Sequence, residues 1–202
     1  MKEKIEAVME NIKESGNFFA KTTIPQKNIK VEVAGIGELK FPLSVRKINQ
    51  LIKLARPAKF GKGEKTLYDK NVRDVWEIKK NKLSIKMEEA PLDFADGLDK
   101  IAAKMGISKG AKFKAKLHNL LIYEPGQFFC PHQDSEKLDK MVATLVVVLP
   151  QGYKGGTLVV EHLGKKENLR APTNAAGNIL LAGFYADCLH HITPLKYEYE
   201  SA

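Results

Sequence analysis

The second half of this chain is written as short apolar runs broken by turn residues, and that pattern constrains the fold more than any other feature. Runs over 117–123, 142–149, 157–161, 178–181 and 189–195 are separated by Glu124-Pro125-Gly126, Pro150-Gln151-Gly152, Gly155-Gly156, Pro172 and Gly177. Such runs have strand length, and breaks at this spacing mark a β-sandwich or barrel. The chain has 202 residues, which suits one core. We read 1–202 as a single domain, with 113–202 as the β core and 1–112 as a supporting region of helices and strands. No internal repeat or low-complexity linker divides it.

The first half has a different texture. Ile5, Val8, Met9 and Ile12 recur at helical spacing over 2–14. Residues 17–30 show no clear period. Val31 to Ala34 and Leu39 to Phe41 read as two strands around Gly35-Ile36-Gly37-Glu38. Ser44 is an N-cap for a helix whose apolar face is Val45, Ile48, Leu51, Ile52 and Ala55, and Pro57 stops it. The stretch 59–66 reads as a Gly-containing loop without the spacing of a phosphate cradle. A strand over 72–78 carries the only tryptophan, Trp76. A helix over 92–105 ends at Gly106.

Charge and cysteine usage narrow the class. The balance of 33 Lys+Arg against 24 Asp+Glu, net +9, favours an acidic partner or an anionic small molecule. The basic residues are scattered, so nucleic acid is the minor reading. No apolar run approaches the ~20 residues of a membrane span. The charged start, Met1-Lys2-Glu3-Lys4, has no apolar signal core, so a cytoplasmic location is expected. Two cysteines, Cys130 and Cys188, do not make a disulfide framework. Each lies two before a histidine, so in regular strands each thiol shares a face with its histidine; the plainer reading is a small buried side chain.

The chemistry-bearing constellation begins at His132-Gln133-Asp134. In an extended segment residues i and i+2 project together. A third donor is available from His190 or His191, and only one of two adjacent strand residues can face it. Two imidazoles and one carboxylate make the facial triad that suits Fe(II) and leaves open positions. The same donors also suit zinc in a hydrolase. Most bare His-x-Asp pairs are surface polar residues or hydrogen-bonded core histidines.

The surrounding order is more specific. Leu121-Ile122-Tyr123-Glu124-Pro125-Gly126-Gln127-Phe128-Phe129 precedes His132-x-Asp134. Then come Thr144-Leu145-Val146-Val147-Val148-Leu149, Gly155-Gly156-Thr157-Leu158 and His190-His191-Ile192-Thr193-Pro194-Leu195. This succession resembles the 2-oxoglutarate/Fe(II) oxygenases, in their prolyl 4-hydroxylase-like branch. Gly61-x-Gly63-Glu64-x-Thr66 and Val72-Arg73-Asp74-x-Trp76 also look like part of that branch. The resemblance implies an α+β fold: a double-stranded β-helix, of jelly-roll or cupin-like form, with N-terminal helices packed outside. It implies iron on His132, Asp134 and His190, with His191 as the fallback. Tyr123 would face the co-substrate, the alternative being a core aromatic. Thr144 would line the co-substrate wall or simply pack.

The expected cation for the far carboxylate of 2-oxoglutarate is missing. The family's Gly-x-Arg has no counterpart in Lys196-Tyr197-Glu198-Tyr199-Glu200-Ser201-Ala202. Three readings stay open: a last strand absent from this chain, Lys196 as substitute, or another cation such as Arg170. Arg73, Trp76 and the 59–66 stretch are candidates for a substrate lid, with a structural role the plainer reading. The implied activity is hydroxylation of a protein or peptide side chain, with Fe(II), 2-oxoglutarate, O₂ and ascorbate as reductant. The rivals are action on nucleic acid or a small molecule, or a metal-binding β-barrel interaction module that no longer turns over.

Overall fold

The computed structural model describes residues 16–62, 65–87, 91–107, 114–134, 141–170 and 177–196. The helix expected over 2–14 and the stretch 197–202 lie outside them. The described chain is mostly β-sheet with two α-helices.

Two antiparallel sheets face each other. One runs β15 (Lys165–Leu169), β14 (Leu158–His162), β17 (Leu189–Ile192), β11 (Phe128–His132) and β7 (Arg73–Asp74). The other runs β1 (Phe19–Pro25), β16 (Asn178–Tyr185) and β12 (Ala143–Val148). Phe19, Leu180, Ala182 and Phe184 from the second sheet meet Leu158, Val160 and Leu169 from the first in one buried cluster. No closed barrel forms among the described residues.

β16 shows why its sequence is almost continuously apolar. Leu180, Ala182 and Phe184 point into the sandwich, whereas Ile179 and Leu181 point to the opposite face. There helix α2 (Pro91–Lys104) covers them with Ile101, and Met105 just beyond its end joins the same cluster. A strand buried on both faces loses the polar half of the alternation. Gly183 is required by this packing, since a Cβ there would lie 2.6 Å from Ile101 Cγ2. Pro91 opens α2 where its missing N–H has no cost, and Gly106, at φ +74°, follows its end.

The remaining strands form smaller sheets. β8 (Trp76–Lys79) lies between β4 (Arg56–Pro57) and β10 (Asn119–Ile122). β2 (Ile29–Val33) lies between β3 (Gly37–Glu38) and β9 (Leu83–Met87). β13 (Lys154–Gly155) pairs with β18 (Leu195–Lys196). Helix α1 (Val45–Leu54) starts at Ser44, whose Oγ accepts the Lys47 N–H at 3.3 Å. Leu51 of α1 is buried against Val31, Val33 and Ile78.

Four local expectations change. The strand expected over Leu39 to Phe41 is instead β3, Gly37–Glu38, inside the expected turn. Residues 19–25 pair with β16 at seven positions, a register dictated by the partner strand rather than by any pattern of their own. The 59–66 stretch is not a loop. β5 (Phe60–Lys62) and β6 (Lys65–Leu67) pair across it, although Lys and Gly disfavour strands. The strand expected over 72–78 is two strands in two sheets. Between them Val75 is buried, and its carbonyl accepts the Ala58 N–H at 2.9 Å. Among the described residues no helix is long and apolar enough to cross a membrane.

Candidate metal centre

The site begins with a slip in strand register. β11 and β17 pair Phe129 with Ile192, and a regular ladder from there would set His132 opposite Leu189. The register shifts between Phe129 and His132, so His132 stands opposite His190. Pro131 lies in this interval. It has no N–H to give a ladder, and proline inside sheets is confined to edges and irregularities of this kind. The slip brings the two imidazole centroids to 4.2 Å. Asp134, just past the end of β11, places Oδ2 3.7 Å from His190 Nε2. Ligand atoms of His132, Asp134 and His190 all lie within 4.8 Å of one another.

Each donor is oriented by an identifiable partner. His132 Nδ1 is 2.9 Å from the Cys130 carbonyl, and His190 Nδ1 is 3.1 Å from the Cys188 carbonyl. A carbonyl only accepts, so both Nδ1 atoms carry hydrogen, and Nε2 is the ring nitrogen left to ligate on each histidine. Thr144 Oγ1 donates to Asp134 Oδ2 at 2.5 Å. Phe129 stacks on His132 with centroids 3.6 Å apart, and Phe184 lies 4.7 Å from His190. The His132 pKa is lowered to about 4, first by burial and then by neighbouring His190. It is therefore neutral, as a ligand must be, across the neutral range.

Two imidazole nitrogens and one carboxylate fit Fe(II) in a facial arrangement, and they fit zinc as well. His191 is turned away. It pairs with Val159 on β14, and the Lys166 and Glu161 charges act on it. This is the alternation of a strand at work. Thr144 reaches Asp134. Tyr123, half-buried, has its pKa raised to about 12 by burial, against the pull of Arg73. Lys196 is exposed on β18 opposite Lys154, and Arg170 is exposed after β15. Trp76 donates its indole N–H to Glu124 Oε2 at 2.5 Å.

The cysteine thiols do not meet at the donors. Cys130 Sγ approaches the Asn71 carbonyl at 3.5 Å, because the register slip breaks the regular alternation. Cys188 is fully buried in the sandwich core. What serves the histidines is the cysteine backbone, and no side-chain pattern announces a carbonyl. Two further contributions were not visible beforehand. Gln133 Nε2 donates to the Asp187 carbonyl at 2.6 Å, tying the ligand-bearing segment to the turn before β17. Arg73 packs its guanidinium 4.4 Å over Phe129. A second donor group, His162, Asp187 and Cys188, lies apart from the triad. Its thiol is pushed up to about 11, burial being the main cause, and so is not a ready thiolate.

No family model matches the chain, and no curated protein matches it. Among solved structures it is similar to a prolyl-4-hydroxylase from Pseudomonas putida, with 12% identity and a TM-score of 0.47 over 96% of this chain and 93% of that one. It is also similar to an oxidoreductase of the 2OG-Fe(II) oxygenase family from Burkholderia pseudomallei, with 12% identity and a TM-score of 0.41 over 96% of this chain and 85% of that one.

Proposed function

We propose that this chain is an Fe(II)- and 2-oxoglutarate-dependent oxygenase that hydroxylates a protein or peptide side chain, and that its facing sheets are the halves of a double-stranded β-helix. The observation that carries the reading is the His132–Asp134–His190 group, with both Nδ1 atoms tied to backbone carbonyls and both Nε2 atoms free to ligate. Such tethering is what metal-ligating histidines require, and three protein donors leave positions for a bidentate co-substrate and O₂. Iron, when bound, supplies O₂ activation coupled to oxidative decarboxylation of 2-oxoglutarate to succinate, with ascorbate as reductant.

The protein's own part is geometric and electrostatic. The Cys130 and Cys188 carbonyls hold the ring tautomers, and Thr144 holds the carboxylate rotamer. Phe129 and Phe184 cover the imidazole faces and keep water from them. Tyr123 keeps its phenolic proton at neutral pH and is available as a hydrogen-bond donor. The substrate class follows the sequence's resemblance to the prolyl 4-hydroxylase-like branch.

The test is anaerobic Fe(II) titration with and without 2-oxoglutarate, followed by succinate measurement on admitting air, in the wild type and His132→Ala. We expect a charge-transfer band that needs both additions, and succinate that disappears in the variant. No band in the wild type would rule the oxygenase out. A band without succinate would favour the metal-binding module, since the triad would then be intact and turnover absent.

A further inference from the structure

The β14–β17 ladder runs on past the triad. Val160 stands opposite His190, and Glu161 opposite Leu189. One step further sets His162, the last residue of β14, opposite Cys188. Strand residues two apart share a face, so His162 and Cys188 project as Val160 and His190 do. Val160 and Cys188 share the sandwich core, and Phe18, which packs against that core, lies 5.8 Å from the His162 ring. Asp187 precedes Cys188 in the turn between β16 and β17. Gln133 holds that turn by donating to the Asp187 carbonyl at 2.6 Å.

Three donors of different kinds therefore converge. An imidazole nitrogen of His162, a carboxylate oxygen of Asp187 and the Cys188 sulfur all lie within 4.8 Å of one another. A metal that binds nitrogen and oxygen at ~2.0–2.2 Å and sulfur at ~2.3 Å spans separations of that size. The donors are also unclaimed. Among the described residues the His162 ring makes no hydrogen bond, and the Asp187 carboxylate has neither a hydrogen bond nor an ion pair. The Cys188 thiol makes a long approach, 3.9 Å, to the Phe18 carbonyl. Cys188 is buried, His162 half-buried and Asp187 exposed, so the group opens to solvent at its carboxylate. Lys165, the cation across the hairpin from His162, is exposed.

We infer that His162, Asp187 and Cys188 form a second metal site, for a thiophilic divalent ion of the zinc class. Sulfur sets it apart from the triad, whose nitrogen and oxygen donors suit Fe(II). Binding replaces the thiol proton, which passes to solvent, by a metal–sulfur bond. Three protein donors and one water complete a tetrahedron. Cys188 then serves two centres, with its sulfur in this one and its carbonyl on His190 Nδ1 in the other. The inference does not depend on the oxygenase reading.

Co(II) is the probe, because its bond to a thiolate gives a sulfur-to-cobalt charge-transfer band that the sulfur-free triad cannot produce. It is titrated anaerobically into the reduced, metal-free full chain. The wild type should develop the band, and Zn(II) should bleach it. Asp134→Asn, which disables the triad, and Cys130→Ser, which removes the other thiol, should both keep it. His162→Gln and Asp187→Asn alter side chains outside the core. Each should weaken Co(II) binding read from this band at least about tenfold, since even the outer partners of a ligand are worth 10–100-fold. Cys188→Ser should abolish the band, and should that variant not fold, His162→Gln and Asp187→Asn decide. No band in the wild type, a band lost in Cys130→Ser, or unaltered affinity in both His162→Gln and Asp187→Asn would overturn the site. The band formed by Fe(II) with 2-oxoglutarate is read separately, so the two readings fail independently.

Discussion

The two strands that carry the candidate ligands are held in opposite ways. β17 is hydrogen-bonded on both sides, to β14 and β11, and it sets buried His190 against Phe184, a ring with no exposed surface. β11 has β17 on one side but only two residues of β7 on the other. Its register slips near Pro131, and Asp134 lies beyond its end. One ligand is therefore part of the core, and the other two are brought to it by a local irregularity. Such a site can lose two of its donors without losing the fold, but it cannot lose the packing around the third.

The strongest test sets Phe184→Ala against Asp134→Asn. The first empties the core behind His190 and should cost ~3–5 kcal/mol of stability. The second should abolish stoichiometric Mn(II) binding while moving stability by less than about 1 kcal/mol. Urea midpoints and Mn(II) electron paramagnetic resonance read the two effects, and equal midpoint losses would erase the distinction between the strands.

Thr144→Val asks how far Asp134 depends on its support. Losing the hydroxyl that holds the carboxylate should weaken metal binding about 10–100-fold with an unchanged circular dichroism spectrum. Unaltered affinity would mean that the chain beyond β11 positions Asp134 unaided.

A smaller effect concerns His132 and pH. His132 titrates at about 4 in the folded chain, against about 6.5 for an unperturbed imidazole. Between these values the unfolded chain holds the proton and the folded chain does not. The stability this contributes is fully present above about pH 6.5 and is lost as pH falls toward 4. In chelator, His132→Asn should flatten the decline of the urea midpoint across that window. If the slope stays as in the wild type, other groups set the acid sensitivity.

The smallest effect belongs to the sheet edge. Lys166 and Glu161 form an exposed pair at 2.9 Å on the β14–β15 hairpin. Lys166→Ala should change stability by no more than about 1 kcal/mol, and a larger loss in thermal melts would show that the edge supports β17 more than its exposure implies.

The strands of the second half were legible because burial writes itself into composition. β12, β14 and β16 lie in the sandwich, and strands there must be apolar runs bounded by turns. α1 was legible for a similar reason, from its Ser44 cap and Leu51 face. β1 was not, because its place is set by pairing with β16, and β5 and β6 pair in spite of their composition. In the site, His132, Asp134 and His190 stood out as a donor set. The packing of Arg73 over Phe129 did not, since a lone arginine in a short strand looks like any exposed one.

The sequence by itself determined the donor chemistry and the apolar runs that become the sandwich. Tertiary structure alone decided that His132 faces His190, that two cysteine carbonyls set the imidazole tautomers, and that Arg73 lies over Phe129. The physical reason is one of range. Composition and period report what a residue needs from its immediate surroundings. Strand register and the burial of a charge are settled only when segments far apart in the chain compete for the same neighbours.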